Sequence, residues 1–560
     1  MSKILLFSGP AICLLITPFI SADPFNQSKM TLLVPCALSI FAIMVTNFKI
    51  YLIRNNSIFL ILISLFILQL FFVLFFAPAP FNQKFYGTNG RNTGFLTYLS
   101  FSIFALSASI ISSTRVLRKM ALGILGAGLI SAFYSTLQTL GLDPIPWANP
   151  YNNIIGFLGN PNFASSFLGI FGIVGFSFIL QPQLNNRVRA VSVFCFIGNL
   201  LLIIRSNSLQ GILVLGLGCT IIAFLFLLGT PKLARTAILL PFLGLASIAG
   251  STVGLAMLNI GPLSDLIYKL SVRQRGYYWH AAIEMLKSHP FVGVGFDSYG
   301  DWYLSLRSAN AAFHTASTNS NEAHNIFLNF GAVGGFPLLT ISLLLSIFTL
   351  WSVFKYVIRA RQYNWAYAGL VGAWLGYIAQ GIISINQIGL AIWGWILMGV
   401  LVGIEIQSRE ASHKAVQKSE AKNSLIKERV SVVGRRWKLV AFAGLGGLLT
   451  GLILVVPNFR ADSSFNSAIE ARSAEKIIDA VLLSPHDNKR IIQGVQVLAT
   501  NGLVDQSKRL LEIVLKNNPR DYNGWELVLK IENTLMKPNP KIVALAKKKM
   551  QKLNPEITIK

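Results

Sequence analysis

Ser57-Ile58-Phe59-Leu60-Ile61-Leu62-Ile63-Ser64-Leu65-Phe66-Ile67-Leu68-Gln69-Leu70-Phe71-Phe72-Val73-Leu74-Phe75-Phe76-Ala77 holds no charge over a length that crosses the hydrocarbon core of a bilayer as one helix. Similar apolar runs lie near 3–20, 30–48, 95–113, 118–141, 163–181, 189–204, 208–229, 236–258, 326–352, 365–382, 385–405 and 438–457. The pair 365–382 and 385–405 is joined by a very short turn. Hydrophobic residues make up 53% of the chain and charged residues 12%. A soluble chain carries about twice that charge fraction. The reading is all-α: a polytopic membrane bundle of about 12–13 transmembrane helices, then a helical-repeat tail.

Basic residues orient the bundle. Lys49 and Arg54 follow the second run, Arg115, Arg118 and Lys119 the fourth, and Arg187 and Arg189 the sixth. Lys232 and Arg235 follow the eighth, and Lys355, Arg359 and Arg361 the tenth. These connections face the cytoplasm, so the long loop 259–325 faces outward. The net charge of +26 is then an orientation signal and a contact with anionic lipid headgroups. Its residues lie in short turns rather than one patch, which argues against a nucleic-acid partner. Ile20-Ser21-Ala22 resembles a small-residue cleavage site, so the first run reads either as a span or as a signal peptide. The four cysteines, Cys13, Cys36, Cys195 and Cys219, sit in apolar runs without disulfide or metal-ligand spacing. No metal or cofactor is expected.

Residues 1–405 form the membrane domain, and 406–437 a charged cytoplasmic linker. The run 438–457 carries the chain back outside, where 458–560 form the tail. Pro485, Pro519 and Pro555 are spaced 34 and 36 residues apart, near the tetratricopeptide period. The first two open similar phrases, Ser484-Pro485-His486-Asp487 and Asn518-Pro519-Arg520-Asp521, and Asn554-Pro555-Glu556 repeats part of them. Gly502 falls where a helical hairpin turns, and Trp525 where a first helix often has an aromatic. Ser507 and Leu529 depart from the usual small residues of that repeat. Such hairpins present a surface to an envelope protein or a glycan.

The polar stretch Asn319-Ser320-Asn321-Glu322-Ala323-His324-Asn325 ends the outward loop, and a Gly-interrupted apolar helix begins at Ile326. His324 therefore stands at a membrane boundary, where a proton-exchanging group marks a functional site. Glu322 is the runner-up base. Arg91 lies among glycines in Gly87-Thr88-Asn89-Gly90-Arg91-Asn92-Thr93-Gly94 and suits an anion. Gly159-Asn160-Pro161-Asn162 reads as helix entry with Asn162 as the cap. Arg273 and Arg275 offer forked donors to phosphate oxygens. Tyr277, Tyr278 and Trp279 suit a helix lying on the bilayer surface, or stacking on a sugar. His280 packs on that helix, His289 ends it, and His314 lies in a Ser/Ala/Asn-rich loop.

These motifs, in this order, resemble the O-antigen ligase and polymerase family over about residues 80–405: Gly87/Arg91/Gly94, Gly159–Asn162, Arg275/Trp279, Pro290/Gly293/Gly295 and Ala323-His324-Asn325 with Leu328. The resemblance implies a multi-pass protein of the inner or plasma membrane. It implies transfer of a glycan from a polyprenyl diphosphate carrier to a glycan, lipid or protein acceptor outside the cytoplasm, without a metal. By position, Arg91 and Arg275, with Arg273, would hold the diphosphate, and His324 would activate the acceptor hydroxyl or assist departure of the leaving group. Asn160, Asn162 and Asn325 complete the implied substrate-binding set. A Ser-Arg-Gly phrase common in the family is here Arg205-Ser206-Asn207-Ser208-Leu209-Gln210-Gly211, so Arg205 or Gln210 stands in for its arginine. Polymerase, ligase and protein O-oligosaccharyltransferase remain open. A flippase for lipid-linked sugars is disfavoured, because the polar residues gather in one outward loop and the spans show no paired repeat.

Overall fold

The computed structural model describes residues 1–46, 57–147, 149, 154–229, 235–315, 318–360, 362–417 and 437–556. Lys49, Arg54, Lys232, Arg361 and linker residues 418–436 lie outside them. Every described element is helical. In chain order the bundle comprises α1 (Ser2–Leu14), α2 (Asn26–Thr46), α3 (Ser57–Phe76), α4 (Phe81–Tyr86), α5 (Phe95–Ile111), α6 (Thr114–Thr139), α7 (Pro161–Ile179), α8 (Asn186–Arg205), α9 (Leu209–Leu228) and α10 (Arg235–Met257). The long loop holds α11 (Ser264–Ile267), α12 (Leu270–Ser288), α13 (Tyr299–Leu306) and α14 (Ala309–His314). Then come α15 (Ile326–Arg359), α16 (Trp365–Ile382), α17 (Ile388–Gln417) and α18 (Trp437–Glu470). The tail follows as α19 (Ala474–Val481), α20 (Asn488–Thr500), α21 (Val504–Asn517), α22 (Tyr522–Thr534) and α23 (Pro540–Leu553). Among the described residues, ten helices are long and apolar enough to cross a membrane.

Helix α3 shows how such a sequence divides between protein and lipid. Phe59, Leu62, Phe66, Leu70 and Val73 recur at helical spacing and are buried, while Ile58, Ile61, Leu65, Leu68 and Phe75 are exposed. Helix α17 runs through the centre. Gly399 and Gly403 admit the backbone of α5 at Ala105 and Ser109. Gly9 of α1 lies under the Trp393 ring. Gly444, Gly447 and Gly451 of α18 admit α2 at Ile43, Leu38 and Pro35. Cys13 and Cys36 are buried, and all four cysteines are free thiols.

Three expectations need correction. The first helix ends at Leu14 rather than near residue 20, because the Thr17–Pro24 turn takes over the backbone bonding. The run expected at 438–457 does not stop there; α18 continues to Glu470 and carries Asn458, Asp462 and Phe465 into buried positions. Tyr277 and Tyr278 face the protein interior, not the bilayer surface.

Helix α15 is broken at Gly335 (φ 75°, ψ −179°), just before Pro337. The segment Pro290–Gly295 lies against the break. Phe336 N–H donates to Pro290 O (2.7 Å), and Val294 N–H and Gly295 N–H donate to Ala332 O and Val333 O (2.9 and 3.1 Å). Gln69, the lone amide of α3, donates to Phe291 O and Gly334 O (2.6 and 2.9 Å). These bonds satisfy backbone groups that apolar surroundings would otherwise leave unpaired.

A side chain at Gly335 is both strained and crowded, since its Cβ would stand 2.6 Å from Pro290 O. We expect Gly335→Ala to cost roughly 1–3 kcal/mol and to lower the thermal midpoint of the detergent-solubilised protein. Gly126→Ala, whose Cβ meets nothing within 4 Å, is the matched control and leaves the midpoint in place.

Candidate active site

The site forms where α15 begins. Asn325 caps that helix, its side-chain oxygen accepting from the N–H groups of Phe327 and Leu328 (both 3.0 Å). His324, just before the cap, adopts a left-handed backbone (φ 53°), a conformation that few non-glycine residues take. Its Nδ1 lies 3.2 Å from Glu322 O. The carbonyl can only accept, so Nδ1 carries the proton and Nε2 keeps a free lone pair. The Tyr278 ring packs against the imidazole at 5.0 Å between centroids.

Two guanidinium groups approach from different elements. Arg275, on α12, is fixed by bonds from Nε to Ile383 O (2.7 Å) and from a terminal nitrogen to Ser271 O (3.0 Å). Arg91 brings its Nε to 3.9 Å from Glu322 Oε1. Both arginines act on the imidazole. Burial draws His324 down to about 4, against the Glu322 carbonyl bond, and the charges of Arg275 and Arg91 add to the fall. It is neutral at physiological pH. Burial pushes Glu322 the other way, up to about 7; Arg91 and the Asn386 amide oppose the rise and Asp297 adds to it. Neither Glu322 oxygen accepts a hydrogen bond of ordinary geometry.

The Arg91 loop is built around Asp297, which sequence reasoning missed. Its carboxylate accepts from Thr88 N–H (2.9 Å), Thr93 N–H (3.1 Å) and the Thr93 hydroxyl. A Cβ at Gly87 (φ 84°) would collide with that carboxylate, which explains the glycine. Asn26 donates to Gly90 O (2.9 Å) and Asn92 to Gln27 Oε1 (2.8 Å). The only sequence signal for Asp297 was an isolated acid just after Gly295-Phe296.

Residues 191–343 match the model of the O-antigen ligase family. That segment contains Arg273, Arg275, Glu322 and His324 and does not reach Arg91. It supports a membrane protein of the glycan-ligase type. No curated protein matches the chain.

The remaining expected residues are distributed less simply. Arg273 stands two residues before Arg275 on α12, about 200° round the helix from it, with its Nε buried and unpaired. Asn160, not Asn162, caps α7 by accepting from Asn162 N–H (2.9 Å); Pro161 has no N–H and fits the first helical position. Asn162 instead accepts from the Ser208 hydroxyl (2.8 Å). Gln210 is buried with its Oε1 unpaired. Arg205 lines a hollow of about 520 Å³ with Gln138, Trp147 and Asn207, a hollow that includes none of Arg91, Arg275 and His324. His280 is exposed, His289 packs edge-on to Trp302, and His314 lies over Tyr277.

Glu322 makes stability depend on pH. Its folded value (about 7) lies above the ordinary 4.5, so its contribution is full below about pH 4.5 and is lost as pH rises through 7. We expect Glu322→Gln to match the parent in thermal midpoint near pH 4.5 and to exceed it at pH 8, by roughly 2–3 kcal/mol at most.

Proposed function

We propose that the chain is a membrane glycosyltransferase of the O-antigen ligase/polymerase type. It moves a glycan from a polyprenyl diphosphate carrier to an acceptor hydroxyl on the extracytoplasmic face, in surface polysaccharide assembly. The observation that carries this reading is the convergence of Arg91, Arg275 and a neutral His324 with a free Nε2 in one buried place at the start of α15.

The chemistry needs little else. The glycosidic C1–O bond to phosphate breaks and the electron pair leaves with the diphosphate. A new C1–O bond forms to the acceptor, whose proton passes to His324 Nε2. Arg91 and Arg275, with Arg273 beside them, bind the phosphates and stabilise the charge that grows on the leaving group. The lipid carrier holds the reacting carbon at the membrane edge. Polymerase and ligase share these steps and differ in the acceptor. Asn325 serves this site by capping α15, and Asn160 caps α7.

The donor also changes the base. Burial is the main cause of the low His324 value; phosphate charge beside Arg91 and Arg275 offsets only the smaller share that the two guanidinium groups add, so His324 rises modestly once the donor is bound. Glu322 works against the donor when ionised, because it competes for Arg91.

The test is transfer of glycan in membranes supplied with lipid-linked oligosaccharide. His324→Ala should lower kcat by about 100-fold or more, and Arg275→Ala should raise the donor KM about tenfold or more. Parental rates in both variants would refute the assignment. Between about pH 6 and 8 the donor KM should rise several-fold as Glu322 ionises, and Glu322→Gln should flatten that rise.

A further inference from the structure

We infer that the C-terminal part of the chain positions Arg91, and that Asp462, Asp487 and Lys489 are the residues that do so. Asn89, two residues before Arg91, is held at three points. Its N–H donates to Asp487 Oδ2 (2.9 Å) and its C=O accepts from Lys489 Nζ (2.9 Å). Its side-chain amide donates to Asp462 Oδ1 (2.5 Å). All three partners are C-terminal to the bundle: Asp462 lies on the extension of α18, and Asp487 and Lys489 at the start of α20.

These partners are themselves anchored. Asp462 is fully buried and also accepts from Ser21 and from Asp23 N–H. Asp487 caps α20 through Arg490 N–H (2.8 Å). Asp297, Asn26 and Gln27 hold Thr88, Gly90, Asn92 and Thr93 from the bundle side. The loop is therefore clasped from two sides, and the Arg91 side chain is left to face Glu322.

The other tail phrases dock on the same end of the bundle. Asn518 donates to Asp301 Oδ2 (2.9 Å), which also accepts from Gln83 (3.0 Å). Arg520 donates to the Ser305 hydroxyl (2.8 Å) and lies 3.4 Å over the Trp302 ring. Arg307 donates to Asn554 Oδ1 (3.1 Å). The repeated Pro phrases thus form one docking edge, and its first member grips the Arg91 loop.

The inference rests on Arg91 binding the donor diphosphate. A double-mutant cycle in the full chain tests the two separately, using the transfer assay and lipid-linked oligosaccharide. Asp487→Ala should raise the donor KM about fivefold to tenfold with little change in kcat. Asp487→Asn keeps an acceptor oxygen for Asn89 and should recover most of that loss. Lys489 is exposed, so Lys489→Ala should fold normally and shift KM in the same direction by less. In an Arg91→Ala background, Asp487→Ala should add nothing. Equal losses in both backgrounds, or a parental KM in the Asp487→Ala and Lys489→Ala variants, would overturn the positioning role while leaving the glycosyltransferase reading intact. Parental activity in Arg91→Ala alone would instead remove the diphosphate assignment and this inference with it.

Discussion

A short loop at the membrane edge can hold a cation in a defined place only if its own backbone is satisfied. The carboxylate of Asp297 does this for residues 87–94, taking up the N–H groups of Thr88 and Thr93 and the Thr93 hydroxyl. Burial pushes this carboxyl above the ordinary range, against the donors around it and the Arg91 charge. The loop depends on that costly placement, and Arg91 depends on the loop. The electrostatic balance at Glu322 and His324 follows from where Arg91 and Arg275 then stand. The Pro290–Gly295 segment serves a different need: it closes the backbone gap at Gly335.

The fold was legible because lipid leaves few choices. A run such as 57–77 with no charge must be a helix, and every apolar run read as a span corresponds to one. Helix ends were less legible. Leu14 and Glu470 end their helices where local turn bonding and tail packing dictate, and neither is written in hydropathy. The same limit turned Tyr277 and Tyr278 inward, since an aromatic suits a lipid interface and a protein interior alike.

The site was legible in part. His324 and Glu322 meet Arg91 and Arg275 although the three segments are far apart in sequence, and the order of the motifs, with the expected membrane sidedness, grouped them. Arg205 did not join them, because its place at the end of α8 turns it toward Trp147. The residues that hold the site were not legible. Asp297, Asp462 and Asp487 are single acids remote in sequence from Arg91, and only the fold shows what each carboxylate receives.

Helix α18 is one continuous helix from Trp437 to Glu470, with Pro457 inside it. It spans roughly 50 Å at the helical rise per residue. The chain is thus not modular in the way its composition suggests. A cut at 458, where hydropathy ends, would sever a helix whose next turn supplies Asn458 and Asp462 to the bundle. Recombining this membrane portion with another C-terminal region would require a donor helix in the same register, with an acid at the level of Asn89. The inherited unit is the rod together with everything it touches.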